Sequence, residues 1–305
     1  MKKNAKPSLQ QQEYVNAYFQ SQSTFWKEIY VSNSVYAEIH RNRHATVLTW
    51  IDSLMLTADS KVLEIGCGAG FLAVALAKHG FRVHAIDPVE DMVKQARRHV
   101  VESGTSKLLS VDLGNVYSLP FEGGSFDLVV AVGVIPWLER PDLAIQEMAR
   151  VTRSGGYLLL TADNRARLNN VLDPWLNPVL APLKKRLKDT LDRLGLRRKS
   201  LEDIGATSHS RRFIDLLLMR AELIKTRSTT LGFGPFSLLR RTLIPESFGT
   251  KLHYQLQRLA DRNVLVLRSS GAHYIVLARK STSLPCALSL SDAKTISNAT
   301  KRLSQ

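Results

Sequence analysis

Cysteines and long apolar segments are scarce in this chain, and each scarcity excludes a class of protein. Only two cysteines occur, Cys67 and Cys286, which excludes a disulfide-stapled scaffold and favours a reducing compartment. No apolar run is long enough to span a bilayer, and the basic N-terminal residues 1–12 lack the apolar core of a secretory signal. Histidines and cysteines do not recur at metal-ligand spacing. We therefore predict a cytoplasmic protein with no metal site.

Acidic residues are also few. The 27 Asp and Glu residues are outnumbered by 42 Lys and Arg residues, which gives a net charge of +15. Such an excess is typical of proteins that meet nucleic acid, an anionic membrane surface or acidic substrates. The excess lies in the C-terminal half, where residues 184–199 contain eight basic residues and two aspartates.

Residues 61–87 (KVLEIGCGAGFLAVALAKHGFRVHAID) contain the most informative pattern in the chain. An apolar run ends in three glycines at positions 66, 68 and 70. A helical pattern follows and ends at Gly80, as a helix C-cap does. A second apolar run then ends at Asp87. This order predicts a strand, turn, helix and strand with a ligand site at the carboxyl ends of the strands.

The details of the turn indicate which ligand binds there. A dinucleotide fingerprint places its third glycine at the sixth position of the motif, which is Phe71 here. Glu64 precedes the first glycine by two residues, and its carboxylate would repel a pyrophosphate but suit an ammonium or a sulfonium. Asp87 stands where a carboxylate can accept hydrogen bonds from both hydroxyls of a ribose. S-adenosylmethionine has the ribose and the positive charge, and it has no phosphate.

The pattern E-x-G-x-G-x-G, followed by an acid after the next strand, resembles motif I of the class I S-adenosylmethionine-dependent methyltransferases. Asp112 and residues 119–138 and 150–164 extend the resemblance over about residues 45–165, although residues 152–154 depart from the family's pattern. The resemblance implies S-adenosylmethionine as the cofactor. The residues implied to bind it are Glu64, Gly66, Cys67, Gly68, Gly70, Asp87, Pro88, Asp112, Leu113 and Val132.

Alternating strand and helix patterns predict the fold class. We expect an α/β protein with a Rossmann-like, doubly wound, mainly parallel seven-stranded sheet, N-terminal helices and a helical insert after the fifth strand. The later strands are predicted at residues 107–111, 126–132, 157–161, 223–230 and 273–278, and helices at 89–101, 143–151 and 213–221, with Gly155-Gly156 ending the second helix. The predicted divisions are a helical cap (1–50), the cofactor-binding core (51–164), a basic insert or lid (165–220), the C-terminal part of the core (221–283) and a flexible tail (284–305).

Within the insert, leucines recur at steps of three and four from residue 176 to residue 194. This spacing predicts a basic amphipathic helix over residues 176–199. Such a helix can pack on its own protein, serve as a lid or a partner helix, or lie on an anionic membrane surface. Peripheral attachment at the inner face of a membrane is therefore an alternative to a purely cytoplasmic location.

Methyl transfer from a sulfonium depends mainly on holding the acceptor in line with the methyl group. A hydroxyl acceptor also benefits from a base that takes its proton. His209 is the preferred catalytic candidate because it precedes a predicted helix, and His273 is expected to be a structural residue of the last strand. The other candidates are His253 as a base, with Tyr254 and Tyr274 as hydrogen-bonding partners.

The acceptor is expected to be a small, lipophilic molecule. Aromatic residues at positions 14–30 and in the 232–236 loop (GFGPF) favour this interpretation, although the former could simply dock helices on the core. The N-terminal aromatics resemble those of magnesium-protoporphyrin O-methyltransferases. We predict methylation of an oxygen on a biosynthetic intermediate. The alternatives are an RNA or tRNA methyltransferase and a non-catalytic cofactor-binding scaffold. The RNA alternative is disfavoured because VGVIPW (132–137) replaces an Asn/Asp-Pro-Pro-Tyr tetrad. The oligomeric state is not predicted.

Overall fold

The structure is a computed structural model, and it describes residues 9–22, 26, 29, 32–173, 177, 186, 190, 206–238, 241–242 and 244–282. One seven-stranded sheet organises this part of the chain. Its strands are β1 (Lys61–Ile65), β2 (Arg82–Asp87), β3 (Leu109–Leu113), β4 (Phe126–Ala131), β5 (Thr152–Asp163), β6 (Leu223–Leu231) and β7 (His273–Lys280). The strand order is β3-β2-β1-β4-β5-β7-β6. Strands β1 to β5 pair in parallel, and β7 runs antiparallel between β5 and β6.

Helices cover both faces of the sheet. They are α1 (Leu9–Ser21), α2 (Val35–Asp52), α3 (Phe71–Lys78), α4 (Glu90–Glu102), α5 (Pro141–Val151), α6 (Leu168–Leu172), α7 (Arg211–Arg220) and α8 (Glu246–Asp261). A 3-10 helix at Ile135–Trp137 follows β4, another lies at Leu267–Ser269, and a two-stranded ribbon joins Ser237–Leu238 to Arg241–Thr242. No helix within the described ranges is both long and apolar enough to cross a bilayer.

The sheet separates two hydrophobic cores. Alternate residues of one strand point to opposite faces, so Val62 joins one core and Leu63 joins the other. Helices α2, α3 and α4 supply the first core, and helices α5 and α7 supply the second. Because both faces are covered, β4 is apolar at five of its six positions, as expected for a central parallel strand. The predicted seven-stranded, mainly parallel sheet is confirmed, and so is the final antiparallel pair.

Two local predictions were wrong. Strand β3 begins two residues later than predicted, so Asp112 lies inside the strand and not in the loop after it. Helix α5 ends at Val151, and Gly155 and Gly156 lie inside β5. A Cβ on Gly156 would meet the carbonyl oxygen of Asp127 at 2.9 Å. These glycines therefore permit a close approach of β5 to β4. The sequence had predicted that they end a helix.

The region predicted as an insert is divided between the core and residues outside the described ranges. Helix α7 falls within the predicted limits of the insert, 165–220, but buries Ile214, Leu217 and Leu218 in the second core. The Ser210 hydroxyl accepts a hydrogen bond from the Phe213 N–H and caps this helix. The predicted basic helix at 176–199 lies outside the described residues except for positions 177, 186 and 190, and so does the predicted tail.

Candidate functional site

The turn between β1 and α3 is shaped by glycines with positive φ. Gly66, Gly68 and Gly70 have φ values of +69°, +52° and +80°, a region that L-residues with a side chain rarely adopt. A Cβ on Gly66 would lie 2.5 Å from Cγ2 of Val134, so this position has no room for a side chain. A Cβ on Gly68 would meet nothing within 4 Å, because Gly68 borders a cavity. Gly70 is the N-cap residue of α3.

Asp87 ends β2 and binds this turn. Its carboxylate accepts hydrogen bonds from the N–H of Gly68 (2.9 Å) and from the N–H of Val89 (2.9 Å). Burial raises the pKa of Asp87 to about 6, although both hydrogen bonds oppose the shift. The side chain is therefore a partly desolvated acceptor that borders the cavity and fixes the glycine turn.

Glu64 lies on β1 and borders the same cavity. Only 4% of the residue is exposed, and among the described residues its Oε2 has no hydrogen-bond partner. Burial, together with the negative charge of Asp87, raises the pKa of Glu64 to about 8. A buried carboxyl group with an unsatisfied oxygen is costly. A ligand that brings a positive charge or a hydrogen-bond donor to Oε2 would relieve that cost.

The cavity has a volume of about 290 Å³ and runs beyond the glycine turn. At the end near the turn, Met92, Asn115 and Val116 complete the wall beside Glu64 and Asp87. The far end lies between the carboxyl ends of β4 and β5 and the helices of the N-terminal cap. It is bordered by charged, histidine and aromatic side chains, among them Phe19, Tyr36, His40, Arg43, Trp137, Asp163, Arg167 and His273.

Asp163 and His273 form a hydrogen-bonded pair in the far wall. Asp163 is the last residue of β5, His273 is the first residue of β7, and the two face each other in the antiparallel register. Nδ1 of His273 lies 3.2 Å from Oδ1 of Asp163. Burial lowers the pKa of His273, and the charges of Arg43 and Arg167 lower it further, against the raising effect of Asp163. The imidazole is therefore neutral at neutral pH.

Arg43 brings a buried positive charge to the same wall. Arg43 is 7% exposed, and its Nε is buried without a hydrogen-bond partner among the described residues. The guanidinium nitrogens lie 3.5 Å from the position that a Cβ on Gly133 would occupy. The lack of a side chain at Gly133, directly after β4 and Val132, thus gives this guanidinium room at the edge of the sheet.

Aromatic rings close the far end. Trp137 stacks on Tyr18 with 5.3 Å between ring centroids and meets Phe19 edge-on at 4.9 Å. Phe19 and Trp137 border the cavity. Phe19 of α1 and Trp137 of the 3-10 helix therefore supply apolar aromatic surface to this end of the cavity, which suits a lipophilic ligand.

Most of the residues predicted to bind the cofactor lie together. The members that border the cavity are Glu64, Gly66, Cys67, Gly68, Asp87, Pro88 and Val132. Burial, with the charges of Glu64 and Asp87, raises the pKa of the Cys67 thiol, which makes it a packing group and a poor nucleophile.

Asp112 and Leu113 are not among the residues that border the cavity. Asp112 is about half exposed, forms an ion pair with Arg97 (3.0 Å) and lies 3.3 Å from Nε2 of His84, and Leu113 is 61% exposed. Strand β3 extends to Leu113, and the wall of the cavity begins one residue later, at Gly114.

The preferred catalytic candidate, His209, is not among the cavity-bordering residues either. Its main chain bonds to that of Asp163, but its ring stacks on Phe213 at 5.3 Å and its Nε2 is buried without a described partner. His253 is also occupied, since its Nδ1 accepts from the Phe233 N–H and its Nε2 lies 2.9 Å from Nδ2 of Asn42. His273, expected to be structural, does belong to the last strand, and it also borders the cavity.

Sequence reasoning missed two features of the far wall, namely Asp163 and its hydrogen bond with His273. The one signal available was position, because Asp163 lies two residues after a predicted strand and His273 begins another. Only the register of β5 against β7 brings them together, and no sequence spacing encodes that register.

Residues 63–160 match the family model described as a methyltransferase domain. Curated relatives include a ubiquinone biosynthesis O-methyltransferase of Thiobacillus denitrificans, 34% identical over 118 residues, and one of Paracidovorax citrulli, 34% identical over 119 residues. Each match covers 39% of this chain, and the chain spans about half the length of these relatives.

Solved structures share the fold over most of the chain. One is the magnesium protoporphyrin IX methyltransferase of Synechocystis, which was solved with bound S-adenosylhomocysteine. It is 20% identical to this chain, the alignment covers 88% of this chain and all of that one, and the TM-score is 0.60. A cyclase is 16% identical, with 88% and 96% covered and a TM-score of 0.57. At such identities the likeness shows the fold alone. The family match over residues 63–160 and the shared fold therefore agree with the resemblance to the class I S-adenosylmethionine-dependent methyltransferases that the sequence indicates.

Proposed function

We propose that this protein uses S-adenosylmethionine to methylate an oxygen atom of a small, lipophilic acceptor. The observation that carries the proposal is one continuous cavity with two different ends. Glu64 and Asp87 border one end, and the wall of Asp163, His273, Arg43 and aromatic rings borders the other.

The cofactor end fits the adenosyl part of S-adenosylmethionine. The Asp87 carboxylate would accept hydrogen bonds from ribose hydroxyls, and each bond to a charged acceptor contributes about 1.5–3 kcal/mol. The unsatisfied oxygen of Glu64 would accept from the ammonium group of the methionine part. Gly68 leaves the space above the turn open, since even a Cβ there would meet no atom.

The proposed reaction is an in-line displacement. The bound cofactor supplies an electrophilic methyl group with a neutral thioether as the leaving group. The protein has to align the acceptor oxygen with that methyl, and alignment of this kind contributes about 7–11 kcal/mol in model reactions. The cap helices and the far wall would exclude water from the two reactants.

Two observations support oxygen as the methylated atom and a lipophilic acceptor. The curated relatives are named as O-methyltransferases, and the far end combines aromatic rings with a histidine–carboxylate pair. The relatives match over about half their length, so the acceptor itself is argued from the cavity of this chain.

Incubation of the protein with tritiated S-adenosylmethionine and a cell extract tests the proposal. We expect label in the organic-solvent fraction and less label with Asp87→Ala. Label in the RNA fraction alone would favour the alternative acceptor, and no transfer with intact cofactor binding would favour a scaffold. The latter two results would each contradict the proposal.

One observation favours RNA as a second candidate acceptor. A surface groove beside β6 and α8 is lined by four arginines, Arg211, Arg227, Arg258 and Arg268. Filter binding of tRNA over a salt series tests this candidate, because each phosphate contact steepens the loss of affinity with salt. No binding at low salt would remove it.

We propose separately, from the sequence pattern, that residues 176–199 contact an anionic membrane surface. Sedimentation with phosphatidylglycerol vesicles at low salt should recover the protein, and neutral vesicles should not. Equal recovery with both would contradict the electrostatic basis of the proposal.

A further inference from the structure

The far end of the cavity contains groups that cofactor binding does not use. We propose that they activate the acceptor: His273, positioned by Asp163, takes the proton of an acidic hydroxyl on an aromatic ring, and Arg43 holds the oxygen as it becomes negative. This inference rests on the proposed methyl transfer and extends it to a class of acceptor and to named roles.

The geometry of the pair assigns the proton of the imidazole. A carboxylate accepts hydrogen bonds and does not donate them. The Nδ1 of His273, 3.2 Å from Asp163, therefore carries the hydrogen, and Nε2 carries the lone pair. Among the described residues no hydrogen bond to Nε2 is formed, and His273 borders the cavity. A histidine fixed in this tautomer can accept a proton from a ligand.

The surroundings of His273 favour an acidic hydroxyl. From α2, the ring of His40 lies edge-on at 5.6 Å, and Arg43 adds a positive charge. From the loop after β5, Arg167 adds a second positive charge, and Asp163 opposes both. Tyr36 borders the same end of the cavity. A base weakened in this way suits a phenol better than an aliphatic alcohol, because a phenol is the stronger acid.

Arg43 supplies what the oxygen needs as its proton leaves. The buried Nε of Arg43 has no hydrogen-bond partner among the described residues, and leaving such a donor unpaired costs free energy. A ligand oxygen that accepted from it would remove that cost. Placed beside a developing oxyanion in a water-poor site, the guanidinium would lower the pKa of the hydroxyl and align the oxygen. The rings of Phe19 and Trp137, which meet edge-on, provide apolar contact for the aromatic ring of the acceptor.

The step balances without another reactant. The O–H bond breaks and its proton passes to Nε2 of His273. A lone pair of the oxygen forms the new O–CH3 bond while the C–S bond breaks, and that bond's electron pair stays on sulfur. The products are a methyl ether, a neutral thioether and a proton, which the imidazolium then releases to water.

The first test uses 4-nitrophenol, whose ionisation changes its absorbance, added to protein saturated with S-adenosylhomocysteine. We expect the bound phenol to ionise at least about tenfold more readily than the free phenol. Arg43→Met should abolish this shift, and Arg43→Lys, which keeps the charge, should retain most of it. Arg82→Met is the matched control, because Arg82 lies on the exposed start of β2 and pairs with Asp59.

The second test is the pH dependence of methylation of unsubstituted phenol, which, unlike 4-nitrophenol, keeps its proton at neutral pH and needs a base. His273→Asn should lower kcat by about 10²–10⁴-fold, as expected for loss of a general base. Asp163→Asn should move the acidic limb of the profile to lower pH, because the carboxylate stabilises the protonated imidazole. A purely structural role for Asp163 would not move that limb.

Three results would overturn the inference. They are no binding of 4-nitrophenol to protein that binds S-adenosylhomocysteine, an unshifted ionisation of the bound phenol, and an equal shift in Arg43→Met. Failure to bind S-adenosylhomocysteine would instead remove the proposed function, so the two failures are distinguishable.

Discussion

Glu64 and Asp87 lie on the neighbouring parallel strands β1 and β2 and border one cavity with two buried carboxyl groups. Burial raises the pKa of Asp87 to about 6, and burial together with the charge of Asp87 raises the pKa of Glu64 to about 8. A protein gains nothing from two such groups in an empty site. Their arrangement is explained by a ligand that brings a positive charge and hydroxyl donors.

Binding of S-adenosylhomocysteine should release a proton. At pH 7 the free protein holds Glu64 protonated, since the pKa is about 8, and the ligand's ammonium favours the ionised form. We expect about one proton released per ligand and an affinity that rises with pH, by at most about tenfold per unit, up to pH 8. Calorimetry in buffers of different ionisation enthalpy counts the proton. Equal proton release by Glu64→Gln would contradict this assignment.

The contribution of Glu64 to the stability of the free protein should fall as pH rises. Between pH 4.5 and about 8 the unfolded chain ionises this glutamate while the folded protein keeps Glu64 protonated. The folded state then binds more protons, so the free energy of unfolding falls with rising pH. The loss should be roughly 3 kcal/mol between pH 5 and pH 8. Urea unfolding measures it. Relative to the wild type, Glu64→Gln should become more stable by that amount over this pH range, and the exposed-site control Glu90→Gln should not.

Two glycine substitutions should separate stability from binding. Gly66→Ala places a Cβ 2.5 Å from Val134, so it should lower the free energy of unfolding by about 1–3 kcal/mol beyond the strain of positive φ. Gly68→Ala meets no atom and should cost roughly 1 kcal/mol for its φ. Its methyl group projects into the open space, so S-adenosylhomocysteine affinity should fall about tenfold or more. Thermal unfolding and calorimetry measure both variants. Unchanged affinity in Gly68→Ala would show that the ligand lies elsewhere.

Helix α7 should behave as part of the core. Ile214 is fully buried, so Ile214→Ala should lower the free energy of unfolding by about 2–5 kcal/mol. Met219 on the same helix is 56% exposed, and Met219→Ala should change it by no more than about 0.5 kcal/mol. Denaturant titration compares the two. Equally small effects of both substitutions on the free energy of unfolding would contradict this prediction and would indicate that α7 belongs to the predicted insert and not to the core.

The cofactor end could be predicted from the sequence because its determinants are local. The glycines and Glu64 lie within seven residues, and the turn geometry follows from glycine's access to positive φ. Asp87 follows after one helix and one strand. The strand alternation likewise predicted the sheet, because buried parallel strands are apolar throughout.

The acceptor end could not be predicted because its determinants are distant in sequence. Arg43, Asp163 and His273 come from a cap helix and from two strands more than a hundred residues apart. Their meeting depends on the register of β5 against β7 and on how α2 crosses the sheet edge. The misplaced bounds of β3 are a smaller matter, because the strand lies two residues later in the chain than its apolar run indicated.

The central claim is that Asp87 and the glycine turn bind an adenosyl cofactor. Calorimetric titration with S-adenosylhomocysteine of the wild type, Asp87→Asn and Asp112→Asn tests it most directly, because the sequence implicates both acids and the structure brings only Asp87 to the cavity. The account predicts saturable binding by the wild type, an unchanged affinity for Asp112→Asn and a loss of at least about tenfold for Asp87→Asn. No binding by the wild type, or equal affinities for both variants, would contradict it.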